Sequence, residues 1–434
     1  YRSALIEKAI RITGLRNPNS RNQLLAWLNE NTDLELEKLT KETVAESLQV
    51  ASGDAEEVLR IRKNLSKSSV TKYQAMDRAV CSDGRIRGVL QFYGANRTGR
   101  WAGRLVQVQN LPHDVPRAID TARHMVKAKN RRGLELMYGD VASTLSQLIR
   151  TAFIAPDDAM LCVSDFSAIE ARVLSWLAGE KWRMDVFANN GDIYCASASS
   201  MFGVPVVKHG VNGHLRQKGK VAELALGYQG GPNALISMGA LKMGLTEDEL
   251  PDIVRRWRAS NPRIQDFWYA IDGAAMSVMQ NAQPVGLPHG IIFSRECNLL
   301  YGYDYLTITL PSGRRLFYPQ PYVGENQFGR PAIHYKTQMG ANWVYTSTYG
   351  GKLVENITQA IARDCLALAL KRLVQHGYKP LMHIHDEVVL EVPKDQLHDD
   401  EIDRINASMC DPIPWAPGLI LNADGFISPY YKKD

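Results

Sequence analysis

The stretch AMLCVSDFSAIEARVLSWLAG (159–179) decides how this chain is read. Met160 to Ser164 is a short apolar run of the kind that makes a buried strand. Ile169, Val173, Leu174 and Leu177 then recur at helical spacing. A strand that ends in Asp165 just ahead of a helix is a common way to set a carboxylate at the mouth of a site. A second such place lies far along the chain. LMHIHDEVVLEVP (381–393) reads as two strands meeting at a tight turn through His385, Asp386 and Glu387. If these strands meet in one sheet, their carboxylates can hold two divalent ions. Hard oxygen ligands suit Mg²⁺, which keeps waters and takes its other ligands from substrate phosphates. A metal pair roughly 4 Å apart activates an attacking oxygen and stabilises a leaving one. A strand-end carboxylate is also often a turn or cap residue, and for Asp165 alone that alternative stays open.

Around these two places the chain is ordinary. Its 434 residues are 45% hydrophobic and 22% charged, which is ordinary globular usage and argues against disorder. No apolar run reaches the roughly 18 residues of a membrane span. The six cysteines include no CxxC pair, which argues against a zinc ribbon and a disulfide scaffold. The net charge of +5 permits an anionic partner without requiring one. The opening YRSALIEK is neither a signal peptide nor a Met start, so a cytoplasmic protein, present as a fragment or processed chain, is expected.

Helices dominate the first third. Ser20 and Gln23 make a capping box, Thr40 caps a second helix, and a long helix is expected from Asp54 to about Val80. On it Arg60, Lys63 and Lys67 share one stripe, either a solvated face or a contact to a phosphate backbone. CSDGRIRGVLQFYG (81–94) reads as a turn and a strand. A helix from about Leu215 to Gly227 carries Arg216, Lys220 and Leu224 within one arc, with Gly227 and Tyr228 continuing it. Two cations followed by an apolar and an aromatic group suit a nucleoside triphosphate, although Arg and Lys at i, i+4 on a helix are by themselves unremarkable. Residues 282–335 read as a β-rich insertion, followed by a long helix from about Gln338 to His376. Its stripe of Lys352, Asn356, Gln359 and Arg363 is either solvated or placed to meet minor-groove acceptors.

Taken in order, these segments resemble the motifs of the family A, or DNA polymerase I-like, DNA polymerases. DFSAIEAR (165–172) is similar to the family's Asp-Tyr-Ser-Gln-Ile-Glu-Leu-Arg. RQKGKVAELALGYQGG (216–231) is similar to Arg-x3-Lys-x7-Tyr, and HDEVVLEV (385–392) to His-Asp-Glu-Val. TGRWAGRLVQVQNLP (98–112) resembles the Thr-Gly-Arg…Gln-Asn-x-Pro segment, and QAIARD (359–364) a Gln-x4-Asp helix. The wording of 216–231 is nearest to phage and prophage members.

The resemblance implies an α+β right-hand polymerase fold, with an antiparallel palm sheet and helical fingers and thumb. The segments would be a palm remnant over 1–18, thumb 19–78, palm 79–178, fingers 179–335 with the insertion at about 282–335, and palm 336–434. It implies template-directed addition of dNTPs to a primer 3′-OH with release of pyrophosphate. Asp165, the Phe166 carbonyl and Asp386 would hold two Mg²⁺ ions, with Mn²⁺ expected to substitute, and Glu387 would stand beside them. Glu170 would exclude the ribose 2′-OH. Arg216 and Lys220 would hold the triphosphate, Lys220 acting in catalysis as pyrophosphate leaves, and Tyr228 would guard the templating position. Tyr194 stands where a phosphate-contacting His is common, Leu224 where an aromatic residue is usual, and Ala168 where Gln is common. Arg100, Arg104, Asn356, Gln359 and His385 would touch primer–template DNA, as would the Arg60, Lys63 and Lys67 stripe.

A monomer without a proofreading exonuclease is expected, and a processivity or replisome partner is left open. The competing readings are a metal-dependent nuclease using the same acids, and a nucleic-acid-binding relict that never extends a primer. Use of RNA templates is a further possibility.

Overall fold

Short helices build the first of two units, which comprises residues 1–89, 103–154 and 430–434. The computed structural model describes residues 2–66, 68–298, 300 and 302–433. In this unit α1 (Arg2–Thr13), α2 (Arg21–Asn31), α3 (Lys41–Val50), α4 (Gly53–Leu65) and α5 (Ser68–Ala79) are followed by α6 (Ile119–Lys127), α7 (Arg131–Tyr138) and α8 (Val141–Leu148). Ser20 caps α2, and Thr40 and Thr43 cap α3 reciprocally. Leu24, Leu28, Val44, Val58 and Leu59 close a small core. The buried Arg150 guanidinium donates to the carbonyls of Leu111 and Pro112 and to the Tyr431 hydroxyl. The single helix expected from Asp54 to Val80 is instead two, α4 and α5. At the break, the Ser66 hydroxyl donates to the Lys63 carbonyl, the local bonding by which serine competes with helix continuation.

The second unit takes residues 90–102 and 155–429. Of the strand expected over 81–94 only β1 (Leu90–Gln91) forms, and β2 (Ala102–Gly103) closes the following loop. Next come β3 (Ala159–Phe166), α9 (Ile169–Ala178), α10 (Lys181–Ala188), α11 (Ile193–Phe202), α12 (Arg216–Leu226), α13 (Pro232–Ser237), α14 (Leu250–Ser260) and α15 (Pro262–Asn281). A strand-rich segment holds β4 (Val285–Leu287), β5 (Ile291–Asn298), β6 (Tyr303–Thr309), β7 (Arg315–Pro319), β8 (Tyr322–Glu325), β9 (Pro331–Met339) and β10 (Asn342–Thr348). The chain closes with α16 (Gly350–Gln375), β11 (Lys379–Ile384), β12 (Glu387–Pro393), α17 (Glu401–Cys410) and β13 (Ala423–Ser428).

The central sheet has the order β11-β12-β3-β13 and every pairing is antiparallel. Its middle strands are buried on both faces, which is why β3 and β12 read as continuous apolar runs instead of alternating. The helices α9, α16 and α17 share one large core with the sheet, through Val173, Ile361, Leu366, Val388, Leu390 and Ile405. Two more sheets, β4-β5-β6-β7 and β10-β9-β8, make up the strand-rich segment.

That segment runs to Thr348, beyond the expected limit of 335, so the long helix starts at Gly350 instead of near Gln338. HYKTQM and NWVYTS alternate in side-chain type, and Gly340 at φ +61° turns β9 into β10. The start of α16 is set by close backbone approach. A Cβ on Gly350 would lie 2.2 Å from the Trp268 carbonyl oxygen, and one on Gly351 would lie 2.4 Å from that of Tyr228. Among the described residues no helix is long and apolar enough to cross a membrane.

Candidate active site

The two acidic places meet. Glu387 lies directly across from Asp165 in the β12–β3 ladder, although the sequence separates them by more than two hundred residues. The Phe166 N–H donates to the Asp386 carbonyl at 3.3 Å. His385 adopts φ +57°, turning β11 sharply into β12 and setting Asp386 at the tip. His385 itself is exposed and Glu387 is buried. The sequence reading missed Asp424. It lies across from Asp165 on the other side, in β13, and is exposed. Nothing local in DGFIS marks it, because strand order is a long-range property.

The donor set of Asp165, Asp386 and the Phe166 carbonyl is all oxygen, as a hard divalent ion requires. Among the described residues no three Asp, Glu, His or Cys side chains close on one metal position.

Asp386 and Phe166 also line a pocket of about 280 Å³, together with Glu170, Tyr194, Leu224 and Tyr228. That is close to the lower bound of ordinary small-ligand sites. Ala168 at φ +51° turns β3 into α9, so Glu170 falls in the helix's first turn at the pocket. Its carboxylate is held from both sides. Arg100 Nη2 donates to Oε1 at 2.5 Å and the Tyr228 hydroxyl donates to Oε2 at 2.8 Å. Burial, and then the Glu170 charge, push the Tyr228 hydroxyl well above the usual tyrosine range, so it remains a donor.

Cations stand on the next turns. Arg216 Nε donates to Asp192 Oδ2 at 2.6 Å, and the other oxygen of Asp192 caps α11 by accepting from Tyr194 and Cys195. The Tyr194 ring lies 5.2 Å from the Arg216 guanidinium and 5.9 Å from Lys220 Nζ. Burial first, then the charge of Glu223, raises the Tyr194 hydroxyl, which keeps it neutral. Two cations within 6 Å of one neutral ring have the chemistry to hold a polyphosphate.

The profile of DNA polymerase family A matches residues 2–280. The chain belongs to DNA polymerase family A. A DNA polymerase of Bacillus phage SP02 is 52% identical over 437 aligned residues, which span all of this chain and 66% of that protein. The thermostable DNA polymerase I of Thermus thermophilus is 29% identical over 261 residues, 59% of this chain and 25% of that one. DNA polymerase I of Lactococcus lactis subsp. lactis is 22% identical over 399 residues, 89% of this chain and 36% of that one. The chain thus spans 66% of the phage relative's length and 25% of the Thermus relative's. The solved POL domain of Pol1 from M. smegmatis, in complex with DNA primer-template and dNTP, matches with a TM-score of 0.64 at 17% identity. The match covers 99% of this chain and 64% of that one. That likeness carries the fold, the α+β right-hand polymerase class.

In this family A chain the pocket floor rests on an ion pair that the sequence reading did not single out. Glu223, on the same helix as Lys220, accepts from the Arg183 guanidinium, from Ser197 Oγ at 2.6 Å and from Trp257 Nε1 at 3.0 Å. Burial alone would raise the Glu223 carboxyl. The Arg183 charge and these bonds outweigh it and hold the group below the usual carboxylate range. Arg183 also donates to Ser175 and Asn261, so α9, α10, α11, α12 and α14 share one buried polar cluster.

The α16 stripe differs from its reading. Asn356 is buried at 3% exposure and donates to the Tyr318 hydroxyl at 2.9 Å, so its amide is not free for a groove. Lys352 pairs with Glu355. Arg363 donates to the Gly99 carbonyl and lies 4.3 Å from the Trp101 ring, which ties down the loop carrying Arg100. Gln359 is half-buried. In the first unit Arg104 is exposed and donates to the Gly103 carbonyl, Arg60 pairs with Glu56, and Lys63 is exposed. Lys67 lies outside the described residues.

Proposed function

We propose that this chain is a template-directed DNA polymerase that adds dNTPs to a primer 3′-OH by a two-metal-ion reaction and releases pyrophosphate. The observation that carries it is the Asp165–Glu387 pairing with Asp386 at the mouth of the pocket that also holds Glu170 and Tyr228. The phage relative's name and the primer-template and dNTP bound by the M. smegmatis domain support the choice of substrates. On this reading the thumb is 19–78, the palm 79–178 and the chain from 349 onward, and the fingers 179–348, the last boundary following the end of β10.

Asp165 and Asp386 would hold the ions, Mg²⁺ by the hardness of the donors. When bound, these ions lower the pKa of the primer hydroxyl and neutralise charge on the phosphates. The chain's own residues do the rest. Lys220 and Arg216 bind the triphosphate, and Lys220 offsets charge on departing pyrophosphate. Arg216 exchanges its contact with Asp192 for phosphate. Glu170, fixed by Arg100 and Tyr228, occupies the space a 2′-hydroxyl needs, which is discrimination by exclusion. Leu224, 44% exposed, offers an aliphatic surface to the incoming sugar and base.

A nuclease would use the same acids but has no use for this cation-and-ring pocket. The test is extension of a labelled primer on a template with divalent metal, supplied with four, one or no dNTPs. Template-directed lengthening only with dNTPs is expected. Shortening without dNTPs, or no extension by protein that binds primer–template, would overturn the reading.

A further inference from the structure

The sheet β8-β9-β10 has one face that the reaction does not use. Cross-strand partners share a face, and the register places Tyr322 opposite His334, Lys336 opposite Tyr345, and Gln338 opposite Trp343. His334 also pairs with Ser347. These side chains therefore line one surface, while Ile333 and Tyr335, of opposite parity on β9, are buried in the core. Trp343, Tyr345 and Tyr322 are 59%, 48% and 46% exposed, a dense set of open rings for the outer face of a small sheet.

The rings are ordered. Tyr322 and His334 stack at 5.0 Å with an interplanar angle of 16°, and Tyr345 meets Tyr322 edge-on at 5.2 Å. A His334 ring nitrogen lies 3.0 Å from the Glu325 carbonyl oxygen, which fixes that ring. Lys336 Nζ sits 5.5 Å from the Tyr345 ring centre. The charge on this segment is one-sided. Between 320 and 349 the cations are Arg330 and Lys336 and the only acid is Glu325. Glu325 pairs with Pro331, one residue out of phase with Gly324 and Ala332, so it faces the other side of the sheet.

We infer that this face is a stacking platform for unpaired bases of single-stranded DNA. Exposed rings beside the Lys336 cation, with the segment's one carboxylate on the opposite face, match a polyanion whose bases expose their π-faces. Duplex DNA does not fit, since its base faces are already stacked. The platform leads through Tyr349 directly into α16, so the strand it takes is template or displaced strand near the site. The identity of that strand rests on the polymerase reading; the binding itself does not.

The test uses the whole chain and a fluorescent oligo(dT) by anisotropy, with blunt duplex as comparison. Trp343→Ala and Tyr345→Ala should each weaken single-strand binding by about five- to a hundredfold, the loss expected for one stacked base, and leave duplex binding unchanged. Lys336→Gln should lower the salt slope by about 0.7, the value for one phosphate on a single strand. Trp343→Phe should restore most of the affinity, which separates stacking from folding. Ultraviolet cross-linking should join oligo(dT) to the peptide holding Trp343 and Tyr345. Extension across a one-nucleotide overhang should be unaffected in all variants, so a chain that never extends primers would sink the polymerase reading and not this one. Unchanged single-strand affinity with no cross-link there would overturn the platform. So would ring substitutions that disperse a self-associated chain without altering DNA binding, since the face would then meet a second copy.

Discussion

Removing the Glu223 carboxylate should destabilise the pocket floor as much as removing the whole ion pair. In Glu223→Ala the Arg183 guanidinium stays buried at 0% exposure with its charge uncompensated. Ser197 Oγ and Trp257 Nε1 lose their acceptor at the same time. Breaking one side of a buried pair costs about 3–5 kcal/mol, and Arg183→Met should cost a similar amount for the same reason. Adding the two gives about 6–10 kcal/mol, yet the double variant Arg183→Met/Glu223→Leu leaves no buried charge at all. It should come out at about 3–5 kcal/mol, no worse than either single change, because the two residues act as one unit. Urea unfolding followed by tryptophan fluorescence reads this directly, since Trp257 donates to Glu223 and stacks 6.3 Å from Trp268. At about 2–3 kcal/mol per molar urea, each variant's midpoint should fall by about 1–2 M. A loss below about 1 kcal/mol in Glu223→Ala, or a double variant as unstable as the sum of the singles, would refute the reasoning.

Other consequences follow from neighbouring contacts. Arg100→Met removes one of the two groups holding Glu170 and should raise ribonucleotide incorporation about fivefold relative to dNTP, from about 1 kcal/mol for a partly exposed pair, with Glu170→Ala raising it more; an unchanged ratio in competition assays would show the contact to be idle. Asn356→Leu should cost about 1–3 kcal/mol of stability, the penalty for leaving Tyr318 without its partner. Its primer–template affinity should not change, and a large loss of affinity would restore the groove-contact reading. Burial and the Arg363 charge push the His383 imidazole down to about 4. A group neutral in the fold but protonated when unfolded gives stability that is full above its unfolded value of about 6.5 and lost as pH falls towards 4. Wild-type midpoints should therefore drop between pH 6.5 and 4 by more than those of His383→Phe, and parallel curves would count against this assignment.

Local chemistry carried much of the fold into the sequence. Helical spacing marked α9, and His385-Asp386 marked the β11–β12 turn. The pairing of β12 with β3 is a long-range fact, and no local pattern encodes it; the motif resemblance brought Asp165 and Asp386 together before the sheet did. Asn356 shows the limit of a helical stripe. Periodicity grouped it with Gln359, but only the position of Tyr318, on a strand of another sheet, decides that this face is buried. The Glu170–Arg100 bridge was hidden for a related reason: both residues stood out singly, and their contact joins a loop to a helix seventy positions away. The late start of α16 reflects a competition of periods, in which cross-strand alternation over 331–348 prevailed over helix continuation.

The most direct test of the central claim is single-turnover dNTP incorporation by Asp165→Asn, Asp386→Asn and the double variant, with primer–template affinity measured alongside. If the two carboxylates serve one reaction, each single change should cut the rate by several orders of magnitude. The double change should add little, and DNA binding should stay near wild type. Near-normal incorporation by either single variant, or losses that simply multiply in the double, would contradict a shared two-carboxylate centre.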